Sequence, residues 1–67
     1  MEPYQQRVVE EKAELDVKLK RLRAFTSSPG GTFHSLPAEE KERLAEQAMY
    51  MANYSEVLRQ RIAAFSA

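Results

Sequence analysis

Both glycines of this 67-residue chain stand side by side, at positions 30 and 31, directly after Pro29. No other point in the sequence interrupts a helix so firmly. Proline lacks the amide donor, and glycine gives up the most backbone freedom on ordering. Residues 4–25 contain neither residue type, and the last proline is Pro37. The spacing therefore predicts one domain in three parts: a helix over 3–25, a Gly/Pro/Ser connection over 26–35, and a helix over 36–65. Pro3 suits the first turn, where its missing N–H has no helical partner to lose. Phe33 and Leu36 mark one helical turn at the hairpin end, and Ser35 is the expected N-cap of the second helix.

The first helix carries an apolar stripe of Tyr4, Val8, Leu15, Leu19, Leu22 and Phe25. Glu14 with Lys18, and Asp16 with Lys20, are placed for i,i+4 ion pairs. The second helix carries Leu44, Ala48, Met51, Ser55, Leu58, Ile62 and Phe65, the alternating four-and-three spacing of a helical seam. Beside that seam runs a second row, Tyr50, Tyr54, Val57, Arg61 and Ala64, with Gln47 next to it. The combined arc exceeds about 200°, whereas a surface helix needs little more than about 100° to bury against one partner. The second helix is thus expected to bury two faces, one of them against another subunit.

Charge order favours an antiparallel all-α hairpin. Lys18, Lys20, Arg21 and Arg23 close the first helix, and Glu39, Glu40, Glu42 and Glu46 open the second. Each cluster complements its own helix dipole. Side by side, the clusters are also expected to pair across the hairpin, with Arg59 and Arg61 approaching Glu10 and Glu11 at the far end. The second helix is expected to be longer than the first by about two turns, so that its tail or its second face projects beyond the hairpin.

A chain this short seldom builds a sufficient core alone; disulfides, a metal or oligomerisation usually compensate. There is no Cys and one His, so neither a thiolate zinc site nor a histidine cluster is available. No metal or cofactor is expected. Assembly into a homo-oligomer is the remaining route. Ten basic and ten acidic residues balance to zero net charge, which argues against binding long nucleic acids. No apolar run approaches a membrane span of about 18 residues. The start, Met1 to Arg7, lacks the basic and apolar regions of a secretory signal. A soluble cytoplasmic protein is expected.

No catalytic motif is present, so no enzymatic activity is expected. His34 reads as an ordinary exposed loop histidine. Lys20 and Arg23 read as partners of the second helix's acids. A helical wheel places Tyr4, Glu11, Lys18 and Phe25 along one flank, with Arg7 and Arg21 beside them. Aromatic and cationic groups in line suit a base stacked near a held phosphate. Tyr4 can equally cap the core stripe. Tyr4 and Lys18 are about 21 Å apart along the axis, so one small ligand reaches both only across two subunits. Gln47, Tyr54 and Arg61 repeat at heptad spacing. They form either a wet seam between subunits or a pocket for a ring-shaped anion on a symmetry axis. Tyr50 and Met51 read as packing residues.

Two runs carry a resemblance. The first is Tyr4-Gln5-Gln6-Arg7-Val8-Val9-Glu10-Glu11-Lys12, continued by Glu14-Leu15, Lys18-Leu19, Leu22 and Phe25. The second is Leu44, Gln47, Met51, Tyr54-Ser55, Val57-Leu58, Arg61-Ile62 and Phe65. Together they resemble the phage anti-CBASS cyclic-oligonucleotide sponges, very small helical proteins. The resemblance implies a homohexamer acting in the host cytoplasm. Such a hexamer holds cyclic dinucleotides between subunits and, in some members, cyclic trinucleotides on threefold axes. It withholds these signals from a defence effector without cleaving them. The resemblance assigns base stacking to Tyr4, phosphate binding to Lys18 and the trinucleotide pocket to Arg61. The alternative is a small structural or regulatory helical oligomer that binds a protein partner or RNA.

Overall fold

The chain enters its first helix through a reciprocal arrangement at the N-terminus. In the computed structural model, which describes residues 1–66, the Glu2 backbone N–H donates to Gln5 Oε1 at 2.8 Å and Pro3 opens the helix. Helix α1 runs Pro3–Thr26 and ends where Ser27 folds back. The Ser27 hydroxyl and backbone N–H both donate to the Arg23 carbonyl, at 2.7 and 3.1 Å. These bonds satisfy one of the carbonyls that a helix terminus leaves unpaired.

The connection turns at Gly30, whose φ of 69° is left-handed and easy only for glycine. A 3-10 turn over Thr32–Ser35 follows, and helix α2 runs Ala38–Ala64. This start corrects the expected one. Leu36 precedes a proline and is extended, at ψ 154°, because the pyrrolidine ring disfavours helical geometry in the preceding residue. Pro37 then supplies the first accepting carbonyl, taking N–H bonds from Glu40 and Lys41 at 3.0 and 3.1 Å. Ser35 does not cap α2. Its hydroxyl donates to the Thr32 carbonyl at 2.8 Å, inside the 3-10 turn.

The helices pack antiparallel into a rod of 46 × 15 × 15 Å. Val8, Leu15 and Leu19 of α1 and Leu58 of α2 are buried, and Met51, Ile62 and Phe65 pack against the cluster of Val8, Leu15 and Leu58. Every member of the α2 stripe expected from sequence, from Leu44 to Phe65, is buried or half-buried. The α1 stripe is covered at its centre and open at its ends. Tyr4 and Phe25 remain 50% and 39% exposed. An aromatic contact closes each end: Tyr4 meets Phe65 edge-on at 5.7 Å, and Phe25 meets Phe33 edge-on at 5.8 Å. Helix α2 has 27 residues against 24 in α1, and its tail does not project, since the Tyr4–Phe65 contact brings the free ends level; its second face is the part that stands out.

The expected pairing between charge clusters does not form. The ion pairs among the described residues are all intrahelical: Lys12–Asp16, Arg43–Glu40 and Arg59–Glu56. On a two-helix rod the charged positions point away from the seam, where water and near neighbours on the same helix serve them at least as well. Asp16 turns back to Lys12 rather than forward to Lys20, and Glu14 makes no ion pair with Lys18. No helix of the described residues is long and apolar enough to cross a membrane.

Candidate functional site

Two open grooves lie on the outer faces. The groove on α1 is lined by Ala13, Glu14, Val17, Lys18 and Arg21, with a volume of about 370 Å³. These residues fall at helical spacings that place them on one face. Val17, 49% exposed, gives the groove an apolar floor, and Lys18 and Arg21 stand one turn apart beside it. Among the described residues, no carboxylate comes within ion-pair distance of either cation. The donors of Lys18 and Arg21 are therefore open to an anion. An ammonium and a guanidinium beside an apolar patch suit a phosphate attached to a ring.

The groove on α2 is lined by Arg43, Glu46, Gln47, Tyr50, Met51 and Tyr54, with a volume of about 350 Å³. Its aromatic character continues along the helix: Tyr50, Tyr54 and Val57 are 62%, 45% and 51% exposed. Arg43 is held by Glu40 at 3.1 Å, and the Gln47 amide rests 3.9 Å from Met51 Sδ. This face is the second row read from the sequence. In the single chain it is uncovered.

The seven residues singled out by sequence separate into groups. Lys18 and Arg21 share the α1 groove, and Gln47 and Tyr54 share the α2 groove. Tyr4, Arg7 and Arg61 are exposed and line neither. Tyr4 lies at the free end of the rod against Phe65, so one chain does not bring it to Lys18. Arg59 and Arg61 are distinguished by their partners. The Arg59 Nε and Nη2 donate to the two Glu56 carboxylate oxygens at 2.8 and 2.7 Å, while Arg61 has no carboxylate in reach among the described residues. His34 is exposed, as expected, but lies within the 3-10 turn, edge-on to Phe33 at 5.6 Å. Tyr50 is exposed, so its expected packing role is not met within one chain, whereas Met51 does pack on the core. Sequence reading missed Arg43, Glu46, Tyr50 and Met51 on α2, and Ala13, Glu14 and Val17 on α1, as groove-lining residues. Val17 carried a signal: an apolar side chain off the seam, one residue before Lys18.

Two carboxylates are held below their ordinary range. Lys12 and then Ser55, both donating hydrogen bonds, lower the Asp16 carboxyl. Arg59 and then Gln60 push Glu56 down to about 2. Both therefore stay ionised through neutral and mildly acidic pH. No group of three or more His, Cys, Asp or Glu side chains is placed to hold a metal among the described residues. Each groove combines cationic donors with one carboxylate, Glu14 on α1 and Glu46 on α2, and the α2 groove adds two tyrosine rings.

Compared with known proteins, residues 2–64 match the family model described as Sequestin. No curated protein and no solved structure matches.

Proposed function

The chain belongs to the Sequestin family, whose name speaks of sequestration, and on that premise we propose that it binds cyclic oligonucleotide second messengers and withholds them intact from their effector. The observation that carries this reading is the α1 groove. Among the described residues Lys18 and Arg21 have no ion-pair partner; they stand beside the apolar floor of Val17, with Glu14 in the same lining, in a depression open to solvent. A phosphate seated between the two cations gains charge-assisted hydrogen bonds of about 1.5–3 kcal/mol each. The base is stacked by Tyr4 of another copy, because about 21 Å separates Tyr4 from Lys18 within one helix. Arg7 flanks that ring. An open groove on a thin rod becomes an enclosing pocket only when a second rod covers it, so the ligand site belongs to an assembly, a homohexamer in this reading. Gln47, Tyr54 and Arg61 form the second site, for cyclic trinucleotides. The protein is a binder and no enzyme, needs no cofactor, acts in the cytoplasm and leaves long nucleic acids alone.

The test is calorimetry against a panel of cyclic di- and trinucleotides, followed by denaturation and recovery of the ligand. Tight binding with intact ligand recovered is expected. Lys18→Ala is expected to weaken cyclic dinucleotide binding by about 10- to 100-fold, the loss of one charge-assisted contact, with the assembly mass unchanged. Absence of binding across the panel refutes the reading, and recovery of linearised ligand makes the protein an enzyme instead. The exposed Tyr50–Val57 face also favours a second reading, a structural or regulatory helical oligomer that binds a protein partner or RNA. A defined partner retained equally with and without cyclic nucleotide supports that reading.

A further inference from the structure

One polar group interrupts the seam. Ser55 occupies the stripe position between Met51 and Leu58, is 9% exposed, and donates its hydroxyl proton across the interface to Asp16 Oδ1 at 2.5 Å. The other carboxylate oxygen of Asp16 accepts from Lys12 Nζ at 2.6 Å. Among the side-chain hydrogen bonds of the described residues, the Ser55–Asp16 bond is the one that joins α1 to α2. Glu56, next to Ser55 in sequence, adds its negative charge to the field around Lys12.

The apolar part of the seam has a repeating character that makes this bond informative. Val8, Leu15 and Leu22 recur every seven residues on α1, and Leu44, Met51, Leu58 and Phe65 do so on α2. Sliding one helix past the other by a heptad, about 10 Å, therefore sets apolar groups opposite apolar groups again. The connection does not forbid such a slide, because the stretch between Thr26 and Ala38 can reach on the order of 35 Å when extended. The aromatic contacts at the ends involve Tyr4 and Phe25, which are 50% and 39% exposed and so weigh less. The row Ala48, Ser55, Ile62 does not repeat in polarity. After a one-heptad slide Asp16 faces Ala48 or Ile62, and the Ser55 hydroxyl stays in the seam without a carboxylate. The Ser55 hydroxyl then falls back on the Met51 carbonyl of its own helix and exchanges a charge-assisted bond for a weaker neutral one, so the native register is favoured.

We propose that the Ser55–Asp16–Lys12 chain is the register pin of the hairpin, which makes Ser55 and Asp16 positioning residues for the outer faces. It fixes the axial offset between the Lys18–Arg21 groove of α1 and the Gln47–Tyr54 groove of α2. The consequence for ligand binding rests on the proposed function; the register itself does not. The experiment is nuclear magnetic resonance on the full chain without ligand, using the Tyr4–Phe65 ring contact as the reporter of register. Ser55→Ala keeps a good helix former and removes the hydroxyl. It is expected to keep the helical signal, at least halve the Tyr4–Phe65 cross-peak and add a second set of resonances. Ser55→Thr restores the hydroxyl and is expected to restore the single set. A single set with a full-strength Tyr4–Phe65 cross-peak in Ser55→Ala overturns the proposal, as does failure of Ser55→Thr to rescue a disturbed spectrum. In a second arm, cyclic di-AMP binding is measured on the same proteins. If the parent does not bind while Ser55→Ala loses its register, the binding reading fails for this ligand and the pin stands.

Discussion

Leu58 and Val57 are neighbours on α2 with opposite environments, and replacing each by Ala separates the hairpin core from the outer face. Leu58 is 1% exposed and Val57 is 51% exposed. Leu58→Ala removes three buried carbons, about 2.4 kcal/mol at roughly 0.8 each. The cavity left against Val8 and Leu15 raises the cost to about 3–4 kcal/mol, inside the range seen for such truncations. A chain of this length has a total stability of about 3–10 kcal/mol, so the substitution removes a third of it or more. Val57→Ala removes two carbons already half in water, about 0.8 kcal/mol, and regains about 0.5 kcal/mol through the better helix propensity of Ala. The single hairpin should hardly notice it. Urea unfolding followed by circular dichroism at two protein concentrations is the assay. At the lower concentration a difference of about 3 kcal/mol between the variants is expected. A difference under about 1 kcal/mol refutes the assignment of Leu58 as the centre of the core. If Val57→Ala becomes costly only at the higher concentration, another copy covers that face, as the proposed assembly requires.

The carboxylates predict acid sensitivity. Asp16 and Glu56 titrate below their ordinary values in the folded chain, Glu56 at about 2, so their stabilisation is complete above the unfolded values and is lost as pH falls through the folded ones. The melting temperature should therefore drop between about pH 5 and pH 2, less steeply in Asp16→Asn; a flat profile in the parent contradicts this. Gly30→Ala places a side chain at φ 69° with open space around it, so strain alone should lower stability by about 1 kcal/mol, and a neutral result in thermal melts would mean that the turn relaxes freely. Arg59 is occupied by Glu56 and Arg61 is not, so Arg61→Ala should weaken cyclic trinucleotide binding in calorimetry more than Arg59→Ala; equal losses count against Arg61 as the site.

The sequence by itself determined the two helices, the seam of α2 and the uncovered second row, because these follow from local breakers and from a periodicity that a helix cannot alter. Pro29-Gly30-Gly31 must break a helix wherever the chain goes, and Leu44 to Phe65 must share one face. The tertiary structure decided what depends on the distance between groups on different turns or different helices. It tied Asp16 to Lys12 and Ser55 rather than to Lys20, kept the charge clusters from pairing across the rod, and levelled the free ends through Tyr4 and Phe65. The pairing of Lys18 with Arg21 and of Gln47 with Tyr54 was already legible in the helical spacing, whereas only the structure separated Arg61 from the groove that holds Gln47 and Tyr54. The pattern of side chains along a helix is fixed by its pitch, but the choice among several carboxylates near a cation turns on a few ångströms that only packing sets.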